Sequence, residues 1–142
     1  MKQFIHLTLF VLLMSSSFLV KAQVVDQKVH HVVFQVTKGE VADQNKAIAQ
    51  LNNILKALPN AEIEVVCHSG ALPMVLKEKS QVLEGIAKLQ SRGVVFAACE
   101  NTMRRAKASK EDLVDGAITV PSGLAEIIIK QEQGWAYIKA GN

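Results

Sequence analysis

Two hydrophobic rhythms alternate along the chain. Short, nearly continuous apolar runs occur at His30–Thr37, Glu62–Cys67, Gly93–Cys99 and Ala117–Val120. Runs of this length, rich in Val, Ile and Phe, predict strands that are covered on both faces. Between them the apolar positions recur at helical spacing. Ala47, Ile48, Leu51, Ile54, Leu55 and Leu58 form one stripe, with Asp43 placed to cap it and Pro59-Asn60 to end it. Val82, Leu83, Ile86 and Leu89 form a second, with Ser80 as its cap and Gly93 after its end. A third, Leu124, Ile127, Ile128 and Gln131, is opened by Pro121-Ser122-Gly123 and closed by Gly134. Trp135–Lys139 is a last, more amphipathic strand.

Shorter signals fill the gaps. Ala71–Leu76 reads as a brief helix with Pro73 in its first turn, and Ser109-Lys110-Glu111-Asp112 as a capping box with Asp in place of Glu. Strands alternating with helices predict an α/β fold, a three-layer sandwich around a mainly parallel five-stranded sheet.

The start of the chain changes this picture. Lys2, the apolar Leu7–Met14 stretch and the small-residue pattern Val20-Lys21-Ala22 occur in the order of a secretory signal peptide. Residues 1–22 are therefore expected to be removed, leaving a single domain over 23–142 in the periplasm or secreted. An uncleaved anchor is the alternative, but the apolar stretch falls short of the about 20 residues a membrane span needs. No stable membrane insertion is expected after cleavage. Losing Lys2 and Lys21 lowers the formal charge from +3 to +1, which gives no reason to expect nucleic acid as a partner.

Candidate chemistry centres on Cys99, which falls where the third strand meets the Glu100-Asn101-Thr102-Met103-Arg104-Arg105 helix. Ligands in open α/β sheets bind beyond the carboxyl ends of the strands, and free amides at a helix start favour a thiolate. Arg104 or Arg105 could reach back toward it. The plainer alternative is a buried cysteine acting as a small hydrophobe. Cys67 occupies the same kind of place after the second strand, followed by His68. With Cys99 these residues suggest a soft zinc or copper site, though three ligands without paired spacing make a weak set, and no metal is expected. A disulfide depends on strand order: adjacent strands about 4.8 Å apart permit one, an intervening strand does not. Ser122 could hold an anion at its helix start or simply cap it. No Gly-rich phosphate loop, Gly-x-Ser-x-Gly elbow or His-Glu-x-x-His pair occurs.

Several of these stretches together resemble a known family. They are Gly93-Val94-x-Phe96-x-Ala98-Cys99-Glu100-Asn101-Thr102-Met103, Val66-Cys67-His68-x-Gly70, Val120-Pro121-Ser122-Gly123 and Gln133-Gly134-Trp135-x-Tyr137-Ile138-Lys139. The pattern resembles the DsrE/DsrF-like family of sulfur-relay proteins across essentially the whole mature chain. The resemblance implies a homo-oligomer of small α/β sandwiches, with Trp135, Tyr137 and Ile127-Ile128-Ile129 as candidates for the subunit contact. It also implies that Cys99 carries sulfur as a persulfide, as a sulfurtransferase or sulfur carrier between a donor and an acceptor, with no cofactor. Cys67, His68, Asn101, Arg105, Ser122 and Gly123 are the candidate binding residues around it. Relatives work in the cytoplasm, whereas this chain is expected to be exported. The alternative is a non-catalytic small-ligand-binding or assembly module whose cysteines are structural.

Overall fold

The computed structural model describes residues 25–141, so the expected signal peptide at 1–22 lies outside the described residues. Among the described residues five strands form one sheet: β1 (His31–Val36), β2 (Glu62–Cys67), β3 (Val95–Cys99), β4 (Ile118–Val120) and β5 (Ala136–Lys139). Their order is β4-β3-β2-β1-β5, and every neighbouring pair is parallel. The connections carry helices α1 (Val41–Ala57), α2 (Leu83–Gln90), α3 (Glu100–Ala106) and α4 (Gly123–Glu132), with 3-10 turns at Ser69–Val75 and Lys110–Asp112. Among the described residues no helix is long and apolar enough to cross a membrane.

Topology explains the layers. The chain steps from β1 to β4 in one direction, then crosses back to set β5 beside β1. Crossovers between parallel strands are right-handed, so reversing direction moves the connecting helix to the opposite face. One face accordingly packs Val32, Phe34, Val36, Ile63, Val65, Cys67, Phe96 and Ala98 against Leu51, Leu55, Ile86 and Leu89 of α1 and α2. On the other face α4 contributes Ile127 to a small cluster with Val33, Val66 and Trp135.

An ion pair fixes the far end of α4. Lys130 Nζ lies 2.7 Å from the buried Glu64 carboxylate and 4.2 Å from the centre of the Trp135 ring, which stacks on His31 at 5.3 Å. Burial, and then the neighbouring Glu64 charge, raises the pKa of Glu126 beside them.

Two helix starts differ from expectation. Helix α1 begins at Val41, after an extended Glu40 whose side chain caps nothing, so Asp43 lies in the first turn. Gln44 secures that start: its amide donates to Gly39 O at 2.8 Å, and its Oε1 accepts the Gln81 N–H at 3.0 Å. Gly39 is required because a Cβ there would come 2.1 Å from Gly70 O. Ser80 accepts the Val82 N–H at 3.3 Å, which shapes the turn before α2, whose N-cap is Val82. The capping box at Ser109 and Asp112 forms as expected around its 3-10 turn. The helix expected at Ala71–Leu76 is a 3-10 turn that runs from Ser69 to Val75, with Leu76 as its extended C-cap.

Candidate functional site

Cys99 ends β3 and is the N-cap of α3. Its register partner is Val120, and its sulfur accepts the Gly123 N–H at 3.2 Å, so the side chain points to the α4 face. Gly123 can reach it because it lacks a side chain. A Cβ there would lie 3.1 Å from His68 Cβ and 3.1 Å from Val66 Cγ1. Burial pushes the Cys99 thiol up, but hydrogen bonds from the Gly123 N–H, the Thr102 hydroxyl and N–H, and the Asn101 N–H outweigh it. The net shift is downward from the ordinary thiol value.

Cys67 is in the opposite situation. It pairs in register with Ala98 and belongs to the core against α1 and α2, where burial alone pushes its pKa up to about 12. Strands β2 and β3 are adjacent, yet the two thiols point to opposite faces and both are free. The structure therefore brings Cys67 neither to Cys99 nor into a metal set with His68.

His68 is brought to the site, as a buried neutral group. Tyr137 O–H donates to Gln35 Oε1, so Gln35 turns its amide nitrogen to His68 Nε2 at 2.7 Å. That nitrogen must accept, and the ring proton then sits on Nδ1, facing Ser69 Oγ at 2.9 Å. Burial, and then the Lys139 charge, lowers the His68 pKa, which agrees with this assignment. Ser69 is held at φ +54°, in the left-handed region, and its N–H donates to Thr102 Oγ1 at 3.1 Å. Polar contacts thus run from β5 across β1 and β2 to the sulfur on β3.

The remaining candidates fall around this line. Asn101 offers its backbone N–H to the sulfur while its side chain accepts from Arg104 Nη2. Ser122 caps α4, accepting the Ala125 N–H at 3.5 Å. Neither arginine is among the groups that lower the Cys99 pKa: Arg104 also faces Glu100, and Arg105 lines an open depression of about 370 Å³ with Ser69, Thr102 and Ala106. Sequence reasoning missed Gln35, Thr102 and Tyr137. Gln35 was detectable as the polar break in an apolar strand, and Thr102 by its place three residues after Cys99. Tyr137 gave no such signal, because its role depends on β5 lying beside β1.

The all-parallel five-stranded fold agrees with what comparison finds. A model of the DsrE/DsrF-like family matches residues 30–140, and the chain belongs to that family. Among solved structures it is similar to MTH1491, a protein of unknown function from Methanobacterium thermoautotrophicum. That match has 31% identity and a TM-score of 0.74, covering 78% of this chain and 98% of that one. The ychN protein from E. coli shares the fold at 13% identity and a TM-score of 0.63, over 80% of this chain and 99% of that one. No curated protein matches.

Proposed function

We propose that this DsrE-like protein carries sulfur on Cys99 as a persulfide. The observation that carries the reading is the strand-end sulfur at the start of α3, which accepts the Gly123 N–H at 3.2 Å, and its pKa is lowered by that bond with those of Thr102 and Asn101. The Cys99 thiolate attacks a sulfane sulfur, a new S–S bond forms, and the electron pair of the broken bond leaves with the donor. An acceptor thiolate then takes the outer sulfur and restores Cys99. Incubation with a sulfane donor should add the mass of one sulfur atom to the wild type and to Cys67→Ser, and none to Cys99→Ser. Equal loading of the Cys99→Ser variant overturns the reading.

A non-catalytic module is the second reading, favoured by one observation: Cys99 is only 4% exposed. It predicts that neither cysteine alkylates in the folded protein. Export and assembly belong to the same proposal. Lys2, Leu7–Met14 and Ala22 support processing to a chain starting near Gln23, checked by the mass of the native protein. Exposed Leu124, Ile128 and Ile129 on α4, with Val95 and Ile118 on neighbouring strands, support a homo-oligomer, whereas Ile127 is used within the monomer. Light scattering that finds only monomer at tens of micromolar overturns that part.

A further inference from the structure

Arg105 is left over in the last turn of the helix that Cys99 caps. Its neighbour Arg104 is engaged by Glu100 and Asn101, whereas among the described residues Arg105 has neither a carboxylate at ion-pair distance nor a hydrogen-bond partner. A cation without a partner at the wall of a depression is available to a ligand. The depression's lining of Ser69, Thr102, Arg105 and Ala106 contains no acidic side chain. Its volume of about 370 Å³ is within the range of small-molecule sites.

A second donor follows from the His68 tautomer. Because Gln35 obliges His68 Nε2 to accept, Nδ1–H donates to Ser69 Oγ, and a hydroxyl oxygen that accepts there keeps its own proton to give. Ser69 is exposed and lines the depression, so that proton is available to whatever occupies it. Thr102 joins the depression to the nucleophile. It lies three residues from both Cys99 and Arg105, so it stands between them on one side of α3, and its hydroxyl is among the groups that lower the Cys99 pKa.

Resting on the persulfide reading, we propose that this depression is the donor subsite, and that the donor is a sulfane sulfur compound bearing an oxyanion, such as thiosulfate or an organic thiosulfonate. Its S–O oxygens lie on Arg105 and Ser69, and its sulfane sulfur faces Cys99. The thiolate lone pair forms the bond to the sulfane sulfur. The bond from that sulfur to the oxidised sulfur breaks, and its electron pair leaves as sulfite or as a sulfinate. Cys99 keeps one sulfur and one negative charge, with no other reactant consumed. Charge gathers on the leaving group where Arg105 stands, so the guanidinium holds the donor and favours its departure.

Two readouts separate the subsite from the persulfide reading. The first is the ratio of Cys99 alkylation by iodoacetate to that by iodoacetamide, reagents that differ in charge. Arg105→Gln should lower this ratio about fivefold, and Arg104→Gln should leave it unchanged. The second is the thiosulfate concentration giving half-maximal loading, which should rise about tenfold in Arg105→Gln and by less in Ser69→Gly, where the left-handed backbone is retained. Arg105 is exposed, so its replacement should not impair folding. An alkylation ratio and a half-loading concentration that are both the same in Arg105→Gln as in the wild type overturn the subsite and leave the persulfide reading standing. No loading from any donor, with the ratio still falling in Arg105→Gln, overturns the persulfide reading and leaves an anion subsite.

Discussion

The two faces of the sheet are built from alternate residues of the same strands, yet they do different work. One is closed by α1 and α2 over Phe34, Val65, Phe96 and their neighbours, with hydrocarbon against hydrocarbon. The other has α4 across it and buries Gln35, Glu64 and His68 beside a small apolar cluster. Cys67 and Cys99 test what this difference means, since both are buried and both end strands. Burial silences a thiol only where no donor faces the sulfur. The Cys67 sulfur meets hydrocarbon and is raised, while the Cys99 sulfur meets N–H and O–H donors and is lowered.

The sharpest break in this comparison is a truncation on each face. Phe96→Ala should cost about 3–5 kcal/mol, and Ile127→Ala about 2 kcal/mol because its cluster is small, measured by urea unfolding. Equal costs would mean that the faces are packed alike.

Alkaline titration should separate the cysteines by sign. Cys67 is raised in the fold, so between its unfolded value near 9 and about 12 the unfolded chain ionises while the folded chain does not, and stability falls as pH rises. The loss approaches about 4 kcal/mol across that interval and should vanish in Cys67→Ala. Cys99 is lowered, so its contribution is present above the unfolded value and is lost as pH falls through the folded one. Unfolding curves from pH 7 to 11 on both single variants check the two slopes.

Gly123→Ala should cost about 1–3 kcal/mol, because the new methyl pushes against His68 and Val66. The same shift draws the N–H away from the sulfur, so Cys99 should alkylate more slowly at neutral pH, read by mass. The smallest effect belongs to Tyr137→Phe. Removing that hydroxyl frees the Gln35 amide to turn and costs about 1 kcal/mol, with a change of His68 tautomer seen in its ring nitrogen shifts by NMR.

Much of this fold was legible in the sequence, for local reasons. Val32–Phe34, Val65-Val66 and Val94–Ala98 are too uniformly apolar to be anything but covered strands, and Ser109 and Asp112 close a ring that needs no distant partner. Helix starts were less legible. Asp43 and Ser80 carry the right chemistry for caps, but Gln44 reaches across to Gly39 and Gln81 and sets the entry from a distance. Cys99 was legible as a strand-end thiol. The separation of Cys67 from it was not, because facing depends on register between β2 and β3. The line from Tyr137 through Gln35 and His68 joins three strands whose order no local pattern encodes.

The pairing of β5 with β1 has a consequence for how the molecule is made. Gln35 and Tyr137 are 102 residues apart, and Val32–Gln35 bonds to Ala136–Lys139 along the whole of β5. Contacts of such long sequence separation form late, because the loop they close costs entropy before the contact returns anything. Until the final strand arrives, β1 presents an open row of amides and carbonyls, the edge at which two half-made chains would join. The last strand therefore both seals that edge and completes the polar line to His68.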